Sequence, residues 1–456
     1  MTSHVRIIVI FAVMAAMLAA VGQLQSWSVA FAIINMCLVS SIMALGVNIQ
    51  WGYAGLFNVG IMGFAALGGV AAVIVSKQPV AEAWAAGGWQ LAAALLSLVA
   101  TIAVIVQVRR IIKTSILRGI ATFIMVVAGY FFIRIFYVPA VDAIEAVNPA
   151  KTGYLGGIGL PIILSWPVGG LFAAGAAWLV GKIALGLRSD YLAIATLGIS
   201  EIIVAIIKNE DWLTRGVKNV TGLPRPVPLE IDLQSTDWFV SMVARFHESR
   251  LAGLDPLAKA ELLQQLTIDA SSLFVKACYA ILFMAVLFVL YTLSQRAQKS
   301  PWGRMMRAVR DNEHAANAMG KDVTRRHLQV FVLGSAVVGI AGAMMTTLDG
   351  QLTPGTYQPL RYTFLIWVMV IVGGSGNNLG SIVGGFLVWF FWVEAEPLGL
   401  WLINVVTAGM VSDSPLRLHL LESAPHMRLI FMGVILLLVL RFSPKGLLPE
   451  TIRRNT

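Results

Sequence analysis

The chain predicts an all-α polytopic membrane protein with about 10–12 transmembrane helices, on three observations. Hydrophobic residues fill 58% of the 456 positions and charged residues only 12%, with a mean hydropathy of +0.80. That balance leaves too little polar surface for a soluble domain. Apolar runs of roughly 20 residues, long enough to cross a hydrocarbon core of about 30 Å as helices, recur from end to end. The shorter alternating segments of a membrane barrel do not.

Crossings are expected at about 7–22, 28–48, 53–76, 89–107, 116–138, 164–186, 190–207, 272–293, 327–347, 359–374, 378–396 and 428–441, all in one transmembrane domain, 1–456. The opening MTSHVRIIVIFAVMAAMLAAVG has a base before an apolar run, as a secretory signal would. Further spans follow at once, so it reads as the first helix. The net charge of +10 does not point to nucleic acid, because the bases sit in short loops between spans. With the N-terminus inside, one side collects Arg6, Arg109, Arg110, Lys113, Arg118, Lys182, Arg188, the bases of 294–326, Arg441, Lys445, Arg453 and Arg454. These are 19 of the 33 Lys and Arg, against five of the 23 acids. Bases concentrate in cytoplasmic loops, which puts both termini and the 294–326 loop in the cytoplasm. Cys37 and Cys278 fall inside spans and are expected to pack as small apolar residues, with no disulfide or metal site.

The largest excursion on the other side is 208–271. Its turn LPRPVPLEI precedes TDWFVSMVARF, apolar at helical spacing, and DPLAKAELLQQL, where Asp255 suits an N-cap and Pro256 the first helical position. Two short helices are expected there, either packed on the outer membrane surface or forming a platform for an extracytoplasmic partner.

Two Gly-interrupted apolar segments lie far apart, GYAGLFNVGIMGFAALGG at 52–69 and VGGSGNNLGSIVGGFLVW at 372–389. Irregular backbone at membrane depth is tolerated only where protein or a water-filled path satisfies it. Such a pair in the two halves of a chain points to an inverted internal repeat around a translocation path. Asn58, Gly60, Gly373, Gly374, Asn377 and Asn378 are its candidate residues, and ordinary small-residue helix packing is the alternative. Glu201, in DYLAIATLGISEIIVAII, is the deepest acid and joins them, because an intramembrane carboxylate is costly. Its alternative is a structural hydrogen bond to a neighbouring helix.

No catalytic constellation is legible. The histidines, His4, His247, His314, His327, His419 and His426, form no metal spacing, and no G-x-x-x-x-G-K-[ST] loop occurs. No cofactor is expected, and an ATP-driven process would need its nucleotide site on another polypeptide. The run SPWGRMMRAVRDNEHAANAMGKDVTRRH, 300–327, is a polar excursion between two spans. It predicts one short basic amphipathic helix from Arg304 to Met319. Met305, Met306, Val309, Ala315, Ala316 and Met319 form its apolar side, and Arg304, Arg307, Arg310, Asp311 and Glu313 its charged faces. Gly320 closes it. Such a helix fits a groove on a partner; a basic loop that only sets topology is the alternative.

GYAGLFNVGIMGF, RSDYLAIATLGISEII, SPWGRMMRAVRDNEHAANAMGKDVTRRHLQVFVLGSAVVGIAGAM, VIVGGSGNNLGSIVGGF and RFSPKGLLPE stand in that order from about residue 40 to the end of the chain. Together they resemble the branched-chain amino acid (Liv-type) ABC transporter permeases, in particular the LivM-like branch. The resemblance implies a multi-pass subunit of a bacterial inner membrane. It would pair with a LivH-like sister permease, two cytoplasmic ATPases and a periplasmic solute-binding protein. The segment 313–320 is similar to the importer coupling motif, E-A-A, three residues, then Gly, with Glu313, Ala315, Ala316 and Gly320 in its places. His314 is inserted and the glycine falls one position late. Arg304, Arg307, Arg310, Glu313, Ala315, Ala316 and Gly320 are thus the expected ATPase-coupling residues. The stretches 77–160 and 230–270 exceed what a compact member needs. The implied activity is import of branched-chain amino acids or a related small polar solute. An ion- or proton-coupled secondary transporter is the rival, disfavoured because no second deep acid or histidine accompanies Glu201.

Overall fold

The computed structural model describes residues 3–112, 114–149, 151–187, 189–411 and 414–450. Lys113, Arg188, Arg453 and Arg454, assigned above to the basic side, lie outside the described residues. Seven helices come first: α1 (Ser3–Leu24), α2 (Trp27–Ala54), α3 (Ile61–Ser76), α4 (Ala81–Ile111), α5 (Ser115–Ala146), α6 (Ser165–Ala184) and α7 (Ser189–Asn209). The excursion holds the short α8 (Asp211–Thr214), α9 (Glu230–Gln234), α10 (Asp237–Phe246) and α11 (Glu248–Leu251). Then follow α12 (Pro256–Lys299), α13 (Pro301–Asp311), α14 (Glu313–Ala318), α15 (Val323–Asp349), α16 (Pro359–Gly373), α17 (Asn378–Val406), α18 (Pro415–Glu422) and α19 (Met427–Phe442). Among the described residues ten helices are long and apolar enough to span a membrane, and α3 and α16 are shorter apolar helices. Each of the twelve expected crossings coincides with one of these twelve helices.

The boundaries follow local chemistry. Ser26 caps α2 by accepting from the Val29 N–H at 3.2 Å. Gly55, at φ +69°, ends it in the left-handed conformation that glycine adopts without strain. Prolines stand in the first turn of α12, α13, α16 and α18, where a missing N–H leaves no helical bond unmade.

Three expectations change. The third crossing does not begin at 53: α3 starts at Ile61 and residues 55–60 are irregular. At 1.5 Å per residue the 16 residues of α3 span about 24 Å, short of the hydrocarbon thickness. In the excursion, TDWFVSMVARF forms α10 as expected, but DPLAKAELLQQL is no separate helix. It runs straight into the next crossing as the 44-residue α12, because no glycine or proline interrupts the chain after Pro256. Asp255 takes the N-cap position without a side-chain cap bond. The predicted helix from Arg304 to Met319 is two helices. Asn312, extended at φ −156° and ψ 97°, ends α13 and caps α14 by accepting from the Ala315 N–H at 2.9 Å. Asn competes with the helical backbone in this way.

The core lies around α15, which packs on α2, α3 and α6. The close approach is made by glycine: a Cβ at Gly68 of α3 would lie less than 3.0 Å from the Gly339 carbonyl of α15. The α4–α5 pair packs mainly on itself and leaves most of both helices exposed. The excursion is tied down by a two-stranded antiparallel pair, β1 (Val220–Thr221) with β2 (Gln351–Leu352), in the register Val220 to Leu352. Phe239 and Val243 of α10 are buried, and Phe239 meets Phe274 of α12 edge to face. Beside this pairing, burial and the neighbouring Arg215 hold the Lys77 ammonium below the usual lysine range, and Lys77 donates to the Gly222 carbonyl at 2.9 Å. Cys37 is buried and Cys278 half-buried, both as free thiols.

Candidate functional site

Both glycine-interrupted segments meet on the last two turns of α2. Asn48 and Tyr53 hold the second segment. Asn48 donates to the Asn378 side-chain oxygen at 3.0 Å and accepts from the Gly376 N–H at 2.8 Å. The Tyr53 hydroxyl donates to the same Asn378 oxygen at 2.6 Å. Gln50 holds the first segment: its oxygen accepts from Asn58 at 2.9 Å, and its amide nitrogen donates to the Phe331 carbonyl and to Ser335 of α15. The Asn58 carbonyl in turn accepts from the Trp367 indole of α16 at 3.0 Å. Helix ends that would be orphaned inside an apolar bundle are thereby satisfied.

An asparagine orders the backbone into the helix after each interruption. The Asn58 side-chain oxygen accepts from Gly60 N–H at 2.8 Å, and the Asn377 oxygen accepts from the Leu379 and Gly380 N–H groups. Two further N–H groups at the start of the first unit, of Val59 and Gly63, donate to Thr196 and Ser200 of α7. The left-handed turn at Gly374 and Gly376, φ +114° and +82°, requires glycine on conformation alone. The chain terminus covers this turn: Leu447 and Leu448 donate to the carbonyls of Val372 and Gly373, each at 2.9 Å.

The same turn touches the polar loop. Arg310 of α13 lies 2.9 Å from one Glu450 oxygen, and its other guanidinium nitrogen donates to the Gly52 carbonyl at the end of α2. Arg307 stands 3.9 Å from the second Glu450 oxygen and donates to the Gln298 carbonyl at 3.4 Å. The Gln298 amide donates to the Gly376 carbonyl at 2.6 Å. One carboxylate and two arginines therefore join the loop, the end of α2 and the second interruption.

The expected site residues divide accordingly. Asn58, Gly60, Gly373, Gly374, Asn377 and Asn378 are brought together through α2, and Asn58 and Asn378 are fully buried with both amide ends bonded to protein. Glu201 is not among them: it is exposed on the face of α7 opposite Thr196 and Ser200. Of the expected coupling residues, Arg307 and Arg310 turn inward to Glu450. Ala316 is buried with Val309 and Val323. Arg304, Glu313, Ala315 and Gly320 are exposed, and so is Met319. Sequence reasoning missed Asn48, Gln50, Tyr53, Gln298 and Glu450. Asn48 and Gln50 carried a signal, two amides inside an apolar helix; Glu450 carried none beyond its place in RFSPKGLLPE. Among the described residues no group of three or more His, Cys, Asp or Glu could hold a metal ion.

The shared oxygen of Asn378 makes a clear prediction. Asn378→Ala leaves the Asn48 amide short of an acceptor in a dry site and the Tyr53 hydroxyl with only the more distant Ser294 carbonyl, 3.3 Å away, at about 2 kcal/mol in all. Tyr53→Phe removes one donor and is expected to cost about half that. Thermal unfolding of the purified variants in detergent checks the order; equal melting temperatures for the two would refute it.

Among the described residues, a bundle of ten long and two shorter apolar helices with two glycine-broken segments defines a polytopic α-helical membrane protein. Residues 140–440 match the family model described as "Branched-chain amino acid transport system / permease component", and the chain belongs to that family. It is similar to the high-affinity branched-chain amino acid transport system permease protein LivM of Escherichia coli, 26% identical over 309 residues, 68% of this chain and 62% of that protein. It is also similar to the probable LivM of Methanocaldococcus jannaschii, 29% identical over 172 residues, 38% of this chain and 46% of the relative. A probable LivH permease of the same archaeon is 28% identical over 116 residues, 25% of this chain and 34% of that protein. The chain thus spans less than two thirds of the length of these relatives. No solved structure matches.

Proposed function

We propose that the chain is the membrane-spanning subunit of an ATP-driven importer of branched-chain amino acids or a related small polar solute. In this reading a soluble binding protein delivers the solute at the end of the bundle that carries α8–α11. A LivH-like sister permease completes the path. Two ATPase subunits dock on the 300–326 loop, in the cytoplasm of a bacterial cell, with both termini on that side. The α2–α3 and α16–α17 pairs are the two halves of the internal repeat.

The observation that carries this reading is the division of the loop into two faces. Glu313, Ala315, Met319 and Gly320 lie open to a partner, while Arg307 and Arg310 bind Glu450 and the broken helices. A push on the outer face is therefore delivered directly to the Gly52 end of α2 and, through Glu450 and Gln298, to the turn at Gly376. The lever is the α13 helix, with α14 hinged on Asn312. The permease needs only two packings a few kcal/mol apart, which ATPase and binding-protein contacts bias.

In proteoliposomes containing the chain, the sister permease, the ATPases and the binding protein, labelled leucine uptake is expected to require ATP and the loaded binding protein. Glu313→Arg together with Gly320→Val is expected to abolish ATPase co-purification and lower uptake at least tenfold. Unchanged assembly and uptake in that variant sinks the docking reading. Gradient-driven uptake by the chain alone sinks the importer.

A further inference from the structure

Five methionines, Met36, Met43, Met62, Met345 and Met369, line a cavity of about 220 Å³ between α2, α3, α15 and α16, with Asp349 also in its wall. The volume suits a small solute rather than the roughly 300–1,000 Å³ of a drug-sized site. The cavity lies next to the buried network of α2 yet is separate from it: none of the network's asparagines lines it. Methionine walls are polarizable and adaptable, so they accept branched and unbranched aliphatic groups alike.

Asp349 is the last residue of α15, before Gly350 at φ +65°. A carboxylate there carries the wrong sign for the helix, whose C-terminal end is already partially negative. Asp349 is an exposed residue and also one of those lining the cavity, and no Lys or Arg among the described residues forms a salt bridge with it. The nearest basic group recorded at Gly350, Arg225, is engaged by Glu230 at 2.9 Å. Two negative features therefore coincide at one rim. Trp389 of α17, also in the lining, has a buried indole N–H with no acceptor. An unanswered donor in a dry site costs about 1–3 kcal/mol unless something else accepts from it. Beside the rim, Tyr357 is fully buried with its hydroxyl 2.8 Å from that of Thr346, and burial pushes its phenol well above the ordinary range. It adds no competing charge.

We infer that this cavity is a transit site for a zwitterionic amino acid with an aliphatic side chain. The Asp349 carboxylate takes the α-ammonium, the methionines take the side chain, and the Trp389 N–H serves the α-carboxylate. The inference rests on the importer reading for its solute class, and on the cavity alone for its chemistry. A single fixed anion and soft walls make the site weak and general, fit for passage rather than capture.

The test uses the full complex in proteoliposomes. Met345→Cys, with Met36→Cys as the second probe position, is labelled by a small thiol reagent supplied on both faces, against the unsubstituted chain as background. Millimolar leucine is expected to slow labelling severalfold. Equal concentrations of 4-methylpentanoate, the same side chain without the ammonium, are expected to leave it unchanged. Asp349→Asn is expected to abolish the leucine protection and lower leucine uptake at least fivefold at saturating binding protein, with binding-protein-stimulated ATP hydrolysis retained. Asp349→Glu is expected to restore part of both. No protection at either position, or equal protection by the two compounds, overturns the transit site. Absence of ATP-driven uptake by the unsubstituted complex overturns the importer reading instead, and the labelling result still decides the cavity.

Discussion

Arg310→Ala is expected to lower the solute moved per ATP hydrolysed at least tenfold while the chain stays assembled and the ATPases keep turning over. Arg310 touches three parts at once. It binds Glu450 at 2.9 Å and the Gly52 carbonyl, and it stands 3.2 Å from where a Cβ at Gly376 would be. The pair is mostly shielded, with 21% and 15% side-chain exposure. Removing the cation from a fully buried pair costs about 3–5 kcal/mol, and partial exposure here reduces that to about 2 kcal/mol. A tenfold loss needs only about 1.4 kcal/mol, so the contact is strong enough to carry it.

Two companions separate charge from geometry. Arg310→Lys keeps the charge but lacks the planar fork that reaches a carboxylate and a carbonyl together, and is expected to recover little. Exchanging the charges, Arg310→Glu with Glu450→Arg, is expected to recover the tie to the terminal segment but not the Gly52 bond, giving intermediate coupling. The measurement is the ratio of labelled solute accumulated to phosphate released. A ratio unchanged in Arg310→Ala would mean that the junction transmits nothing.

Gly68→Val should leave almost no folded protein in a detergent extract. Three helices cross at this point on Gly68, Gly339 and Gly169, with Ala173 and Ala343 beside them. A Cβ at Gly68 would collide with the Gly339 carbonyl. One at Gly339 would lie 2.5 Å from the Gly169 carbonyl of α6, and one at Gly169 would lie 3.0 Å from the Gly68 Cα. The obstructing atoms are backbone and the Cβ atoms of Ala173 and Ala343, none of which can swing aside as a flexible side chain can, so the helices must separate. Overpacking typically costs about 1–3 kcal/mol even where neighbours yield, and here the loss falls on the centre of the bundle. Gly175→Ala on the same α6 is the control: nothing lies within 4 Å of its added methyl, and it should stabilise by about 0.5–1 kcal/mol. Size-exclusion profiles and thermal melts of the two variants decide the matter; similar yields would remove the glycine crossing as a structural requirement.

Much of this was readable along the chain because the membrane imposes a one-dimensional rule: apolar length makes a helix. The apolar helices and the two interrupted segments follow from runs of residue type. The break at Asn312 was also in reach, since Asn followed by Glu-His-Ala is a helix-start pattern. The apolar spacing of 304–319, which reads as continuous, masks it.

What lay beyond the sequence concerns direction. A pattern places Arg307 and Arg310 on a charged face but does not say whether that face meets a partner or a carboxylate 140 residues later at Glu450. Depth marks Glu201 as costly without saying that Thr196 and Ser200 of the same helix turn inward while it turns out. Asn58 and Asn378 stand far apart in the chain and become neighbours of one strut only because Asn48 and Gln50 project from opposite faces of α2. Hydrophobic length is a local property, so composition alone established a bundle of membrane helices with a polar loop and two weak points. Which polar group answers which is a matter of close packing between distant segments, and only the folded bundle, where every buried donor must find an acceptor, joined that loop to those weak points.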